Sequence, residues 1–324
     1  MANGVKQGGV ISPIFFSLYI DPLLYDLMNS GYGCHIKDIY MGVLSYADDI
    51  TILCPSMEGL NEMLKICDTF ARNNSIIFNS KKTLCIKFGH PVVRNEVAIF
   101  KGESLQWVDK VRHLGNLINN TCTDLLDCNF KRSMFIGYVN KLRCNYGKVQ
   151  YNVLINLFKS YCCSFYGSQL WRFNSNGFDK CCKAWNTAVR ILLNLPYNAH
   201  TWILGPLLSQ SNIRDQFYIR NFKLLWYASR SHNIIIKTCI ENAINDSNTG
   251  IGYKFAFYRY MYDLDMTCDL RCRLLRISKC RMSDNQVYIV SNVSTLLSAR
   301  SGPVVINGFT LDDINCIINS ITVE

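Results

Sequence analysis

Asp48 and Asp49 stand side by side between two short apolar runs, 40–44 and 50–54, so the stretch reads as a β-hairpin with two carboxylates at its bend. Hard oxygen donors aimed the same way suit Mg²⁺. Metal ions held in pairs by carboxylates clamp the attacking and leaving oxygens of a phosphoryl displacement. The other reading is solvated turn chemistry, for which Asp is a common choice. About thirty-five residues upstream, Gly4-Val5-Lys6-Gln7-Gly8-Gly9-Val10-Ile11-Ser12-Pro13 leads into a helix. Glycines at such a place let the backbone come close to a ligand.

A third constellation lies mid-chain. Residues 130–230 hold 14 basic and 2 acidic side chains, an excess of +12 in a chain whose net charge is +10. Charge of one sign gathered in one segment is the footprint for a polyanion such as nucleic acid. Lys131, Arg132, Lys141, Arg143, Lys148 and Lys159 are interleaved there with Phe135, Tyr138, Tyr146, Tyr151, Phe158 and Tyr161. The cations read as phosphate contacts. The aromatics serve either as helix core or as faces on which bases stack.

The 16 cysteines point to neither disulfides nor zinc. Cys162-Cys163 and Cys181-Cys182 are adjacent pairs, no C-x-x-C occurs, and Cys268 and Cys272 lack a second pair of ligands. They read as reduced thiols used as small apolar side chains. Cys181, Cys182, Trp185, His200 and Trp202 likewise read as packing.

The elements that must position these groups follow from periodicity. Residues 12–30 form a helix, with Ser12 as N-cap, Pro13 at the first position and Gly31 as the stop. Phe15, Leu18, Tyr19, Leu23 and Leu27 mark its apolar side, and Pro22 is expected to kink or split it. Residues 56–74 give the clearest helical stripe, through Leu60, Met63, Leu64, Cys67, Phe70 and Ala71. Strands are expected at 75–78, 83–88 and 111–118. The fold class is therefore α+β over 1–118, then a basic helical region over 119–230, then a helical region of unassigned role over 231–324. With 49% hydrophobic residues, no secretory leader and no apolar run of about 18 residues, the chain reads as intracellular and soluble, in nucleus or cytoplasm.

Four stretches occur in order: the Lys-Gln-Gly-Gly turn at 6–9, Tyr46-Ala47-Asp48-Asp49, Asn79-Ser80-Lys81-Lys82-Thr83, and His113-Leu114-Gly115-Asn116-Leu117-Ile118. Together they resemble the palm of reverse transcriptases, and their wording resembles that of non-LTR (LINE-type) retrotransposons. The resemblance implies an RNA-directed DNA polymerase, a nucleotidyltransferase using two Mg²⁺ ions with an RNA template and a DNA primer. It implies that Asp48 and Asp49 bind metal, that Gln7, Gly8 and Gly9 lie against template base and nucleotide, and that Tyr46 and Ala47 lie near the primer end. Lys82 would approach the nucleotide's phosphates, or else be a solvated turn lysine. The basic helices would be the thumb. Such palms carry a further essential Asp on a strand ahead of the Gly-Gly turn, where this chain has three residues before Gly4, and Asp21, Asp26 and Asp38 do not replace it. The expectation is a C-terminal fragment, half palm plus thumb, inactive without the missing N-terminal part. The alternative is a non-catalytic nucleic-acid-binding remnant.

Overall fold

The computed structural model describes residues 8–89, 96–244 and 250–262. The fold is α+β, small strand pairs with helices followed by a helical region. Among the described residues, one compact unit holds 8–89, 96–111, 119–122 and 230–244, and the other holds 112–118, 123–229 and 250–262.

In the first unit, α1 (Ser12–Met28) has Pro13 in its first turn, where the missing N–H costs nothing. Ile11 occupies the cap position without a side-chain bond, so Ser12 is the first helical residue and not the cap. Pro22 sits inside the helix without dividing it. Two antiparallel pairs follow, β1 (His35–Ile36) with β2 (Ile39–Tyr40) and β3 (Val43–Tyr46) with β4 (Asp49–Ile52). The next helix, α2 (Met57–Asn73), is capped by Ser56, whose Oγ accepts from the Gly59 N–H at 3.1 Å. Of the predicted stripe it buries Met63, Leu64, Cys67, Phe70 and Ala71, with Leu60 half-buried against the same core.

Beyond α2, β5 (Leu84–Cys85) pairs in parallel with β8 (Gln106–Trp107), and β6 (Ile99–Phe100) pairs antiparallel with β7 (Glu103–Ser104). Residues 75–78, predicted as a strand, are a loop. Ser75 takes a φ of 54° and the Ile76 N–H turns back to the Ala71 carbonyl, so the segment closes the helix before Ile76 and Phe78 pack inward. The core of this unit joins Ile20, Leu23 and Leu27 of α1 to the α2 stripe, Ala98, Phe100 and Leu105. Phe15 and Leu18, placed on the inner face by periodicity, are instead 52% and 64% exposed. The helix is apolar nearly all round, and the stripe that packs is Phe16, Ile20, Leu23, Leu24 and Leu27.

Residues 111–118 were predicted as one strand and form most of a hairpin, β9 (Lys110–His113) with β10 (Asn116–Asn119). Leu114 and Gly115 take φ of 44° and 80°, the left-handed pair of a two-residue primed turn. Helices follow: α3 (Leu125–Tyr146), α4 (Tyr151–Leu157) running into a π-turn at Phe158–Cys162, α5 (Asn176–Leu192), α6 (Thr201–Leu207) and α7 (Ile213–Ser229). Then come α8 (Ile234–Ile244), which belongs to the first unit, and α9 (Gly250–Tyr262) of the second. The second core is aromatic, built on Phe135, Phe158, Trp171, Phe178, Trp185 and Phe217.

One buried polar knot fastens β10 to α3. Asp127 accepts from Lys131 Nζ and Trp171 Nε1, each at 2.7 Å, and from the Leu117 N–H at 3.0 Å. Lys131 Nζ also donates to Asn116 Oδ1 at 2.6 Å. The chain passes so close to this knot at Gly167, φ 78°, that a Cβ there would sit 1.7 Å from Asn116 Oδ1. Only glycine fits both the space and the conformation.

The described cysteines are free thiols. Burial pushes Cys67, Cys163 and Cys182 each up to about 12, which holds them protonated and unreactive. Cys268 and Cys272 lie outside the described residues. No helix among the described residues is long and apolar enough to cross a membrane.

Candidate functional site

The acidic bend is held by the elements around it. In the β3–β4 ladder Tyr46 pairs with Asp49 and Val43 with Ile52, leaving Ala47 and Asp48 as the two-residue bend. Val43, Ile50 and Ile52 pack into the core that holds Ile20, Leu23 and Leu27, so the hairpin rides on α1. Tyr40 adds a pin: its hydroxyl donates to the Leu27 carbonyl at 3.1 Å, and its ring covers Gly42 so closely that a Cβ would lie 2.4 Å away. At the tip, Ala47 takes a φ of 52°, uncommon for a residue with a Cβ. Such local strain gathers at functional sites. Tyr46, Asp48 and Asp49 are exposed, with both carboxylates open to solvent.

Gly8 has a φ of 79°, and Gly9 offers its carbonyl to the Ser12 N–H at 3.3 Å as α1 begins. Gln7 lies outside the described residues. Lys82 is exposed on a turn made by Asn79, whose carbonyl and side-chain oxygen both accept from the Lys82 N–H, at 3.1 and 3.2 Å. The turn fixes the backbone and leaves the side chain free to extend.

The donor chemistry at the bend suits a hard divalent cation, but two neighbouring carboxylates are an incomplete ligand set. Among the described residues no group of three or more His, Cys, Asp or Glu side chains comes together as a metal site.

The basic segment divides by partner. Lys141, Arg143 and Lys148 are exposed, and Arg132 and Lys159 are half-buried. Lys131, read from sequence as a phosphate contact, is buried in the knot with its charge met by Asp127. Arg214 pairs with Asp179 at 2.6 Å, and Arg190 and Arg220 donate to backbone carbonyls. Part of the +12 excess is thus consumed in structure. Sequence reading missed Asp127 because it falls just outside the charge-counted window, although its i,i+4 spacing to Lys131 was there to be seen. The aromatics also divide: Phe135 and Phe158 are core, Tyr151 is half-buried against it, and Tyr138, Tyr146 and Tyr161 face solvent.

Residues 1–118, which include the bend, the Asn79 turn and the Leu114-Gly115 hairpin, match the family model for reverse transcriptase (RNA-dependent DNA polymerase). Over this segment the chain is similar to reverse transcriptases. Two relatives are Pol polyproteins of retrotransposable elements. The chain is 32% identical over 138 residues to the retrovirus-related Pol polyprotein of a type-2 retrotransposable element of Drosophila melanogaster, an alignment covering 40% of this chain. It is 34% identical over 85 residues, 26% of its length, to that of a type-1 retrotransposable element of Popillia japonica. The alignments span 13% and 12% of those polyproteins, about an eighth of each. The segment is similar to those of non-LTR elements, and the chain spans only this small part of the relatives' length.

Proposed function

We propose that the chain is the palm end and thumb of an RNA-directed DNA polymerase of a retrotransposable element, working on an RNA template and a DNA primer. The observation that carries this is the family match over 1–118, with Asp48-Asp49 presented on the bend of a hairpin seated on α1. In the proposed reaction the primer 3′-oxygen loses its proton and attacks the α-phosphorus of an incoming nucleoside triphosphate, and pyrophosphate leaves. Asp48 and Asp49 are the carboxylates this chain offers to Mg²⁺, and Lys82 the cation it offers to the phosphates. Gln7, Gly8 and Gly9 line the template and nucleotide side, Tyr46 and Ala47 the primer side. Lys141, Arg143 and Lys148, with Arg132 and Lys159 behind them, hold the nucleic-acid backbone without reading sequence.

Because the described residues gather one carboxylate pair and no third ligand, these 324 residues on their own are expected to bind primer–template and not to extend it. Positioning and electrostatics are nearly all of the catalysis in phosphoryl transfer. The assay is oligo(dT) on poly(rA) with dTTP and Mg²⁺, run beside Asp48→Ala. Equal background in both is expected, and extension that Asp48→Ala abolishes would overturn the incomplete set. Binding is tested separately: Lys141, Arg143 and Lys148 changed to Glu should lower affinity more than tenfold and flatten its salt dependence by about one unit of slope per lost phosphate contact. Unchanged binding would remove the nucleic-acid role of the segment. A second reading, a non-catalytic nucleic-acid-binding remnant, rests on the exposed cations Lys141, Arg143 and Lys148 alone.

A further inference from the structure

The second unit contains a groove of about 710 Å³ lined mainly by aromatic and aliphatic side chains. One wall is a stripe of α3, in which Phe130, Met134, Tyr138, Lys141 and Asn145 follow one another at three- and four-residue steps. The opposite side is the π-turn with Tyr161 and the following Tyr166, and π-turns recur at functional sites. Four tyrosines line it, Tyr138, Tyr146, Tyr161 and Tyr166, with 45%, 47%, 69% and 60% of their surfaces exposed. Its floor is apolar, from Phe135, Leu142 and Phe165. Arg112 and Lys141 stand exposed at its edges, and no acidic side chain is among the residues lining it.

We infer that this groove is a single-strand site, in which unpaired nucleotides of RNA or DNA stack on the tyrosines while Arg112 and Lys141 meet their phosphates. The inference rests on the reading of the basic segment as a nucleic-acid surface and adds to its backbone contacts a groove that takes unpaired nucleotides. A duplex keeps its bases stacked inside and offers mainly sugar and phosphate to a backbone-holding protein, so the apolar floor and four ring faces would have no partner. Splayed bases supply that partner, because every base has a π-face. The exposed rings are all tyrosines, while Phe135 and Phe165 of the same lining are buried and Phe130 is half-buried. A tyrosine can offer its ring to a base and keep its hydroxyl in water.

The test uses the full chain and fluorescence anisotropy with a 20-nucleotide single strand, dT or U, against a 20-base-pair duplex. Replacing Tyr138, Tyr146 and Tyr161 singly by Ser should cost single-strand affinity roughly tenfold each and leave duplex affinity within about twofold. Phe at the same positions should restore it, since stacking needs the ring and not the hydroxyl. Strands carrying 4-thiouridine should crosslink to peptides containing Tyr138, Tyr146 or Tyr161. If the tyrosine changes do nothing while Lys141→Glu still weakens both ligands, the basic surface stands, the stacking site falls, and the apolar floor is left to a polypeptide. If neither ligand binds at low salt, the nucleic-acid reading of the whole segment fails with it.

Discussion

At the scale of single residues, the most consequential charge in the described chain is one that touches no substrate. Asp127 and Lys131 have side chains only 6% and 9% exposed, and each is the other's compensation. A buried ion pair adds little over a well-packed apolar pair, but removing one member leaves an uncompensated charge in the interior. Asp127→Ala is therefore expected to destabilise the second unit by about 3–5 kcal/mol, since it also strands the Leu117 N–H and Trp171 Nε1. Lys131→Met should cost a similar amount, while Asp127→Leu combined with Lys131→Met should recover much of it. Urea unfolding of the two singles and the double closes the cycle. Additive losses would mean that the pair is not coupled. The cycle also separates Lys131 from Lys141, Arg143 and Lys148, whose exposed charges should move binding and leave stability within about 0.5 kcal/mol.

At the scale of elements, what the sequence showed and what it hid can be traced to particular residues. The α2 stripe was legible because a sharp apolar face and a Ser56 cap leave one solution. The acidic hairpin was legible because two apolar runs flank a polar bend. The face of α1 was not, because a helix with Ile14, Phe15, Phe16, Leu18, Ile20, Leu23 and Leu24 offers several apolar stripes, and only its partners choose among them. The hairpin at 110–119 was taken for one strand because Leu114-Gly115 lacks the Asn-Gly or Asp-Gly signature of a primed turn. Of the candidate site, the residue types at the bend were readable, but their seating on α1 through Tyr40 and Leu27 was not. Two substitutions follow. Ser56→Ala should cost the first unit about 1 kcal/mol by freeing the Gly59 N–H. Pro22→Ala should stabilise it by about 1–3 kcal/mol, because the ring denies the Leu18 carbonyl its helical partner. If Pro22→Ala destabilises, the proline shapes the helix to its neighbours in a way that outweighs the restored bond.

At the scale of the whole molecule, the two cores seen among the described residues share no residue and predict two unfolding events. The first core joins α1, α2 and the short strands, and the second is the aromatic cluster of the helical unit. Tryptophan is distributed so that each event has its own signal: Trp171, Trp185, Trp202 and Trp226 belong to the second unit and only Trp107 to the first. Fluorescence therefore follows mainly the second unit, whereas far-UV circular dichroism sums the helices of both. For a two-state chain the curves would coincide. Here they should separate in urea, with dichroism showing a phase that fluorescence lacks. The variants assign the phases. Asp127→Ala should move the fluorescence transition to lower urea and leave the other in place, and Ser56→Ala should do the reverse. If both variants shift one common transition, the two cores melt as a single cooperative body. Separate movement would mean that the helical unit and the acidic hairpin are stabilised independently, so that damage to one need not unfold the other. Nucleic-acid binding could then be measured on variants whose Asp48-Asp49 bend has already melted, and it should persist there through the helical unit alone.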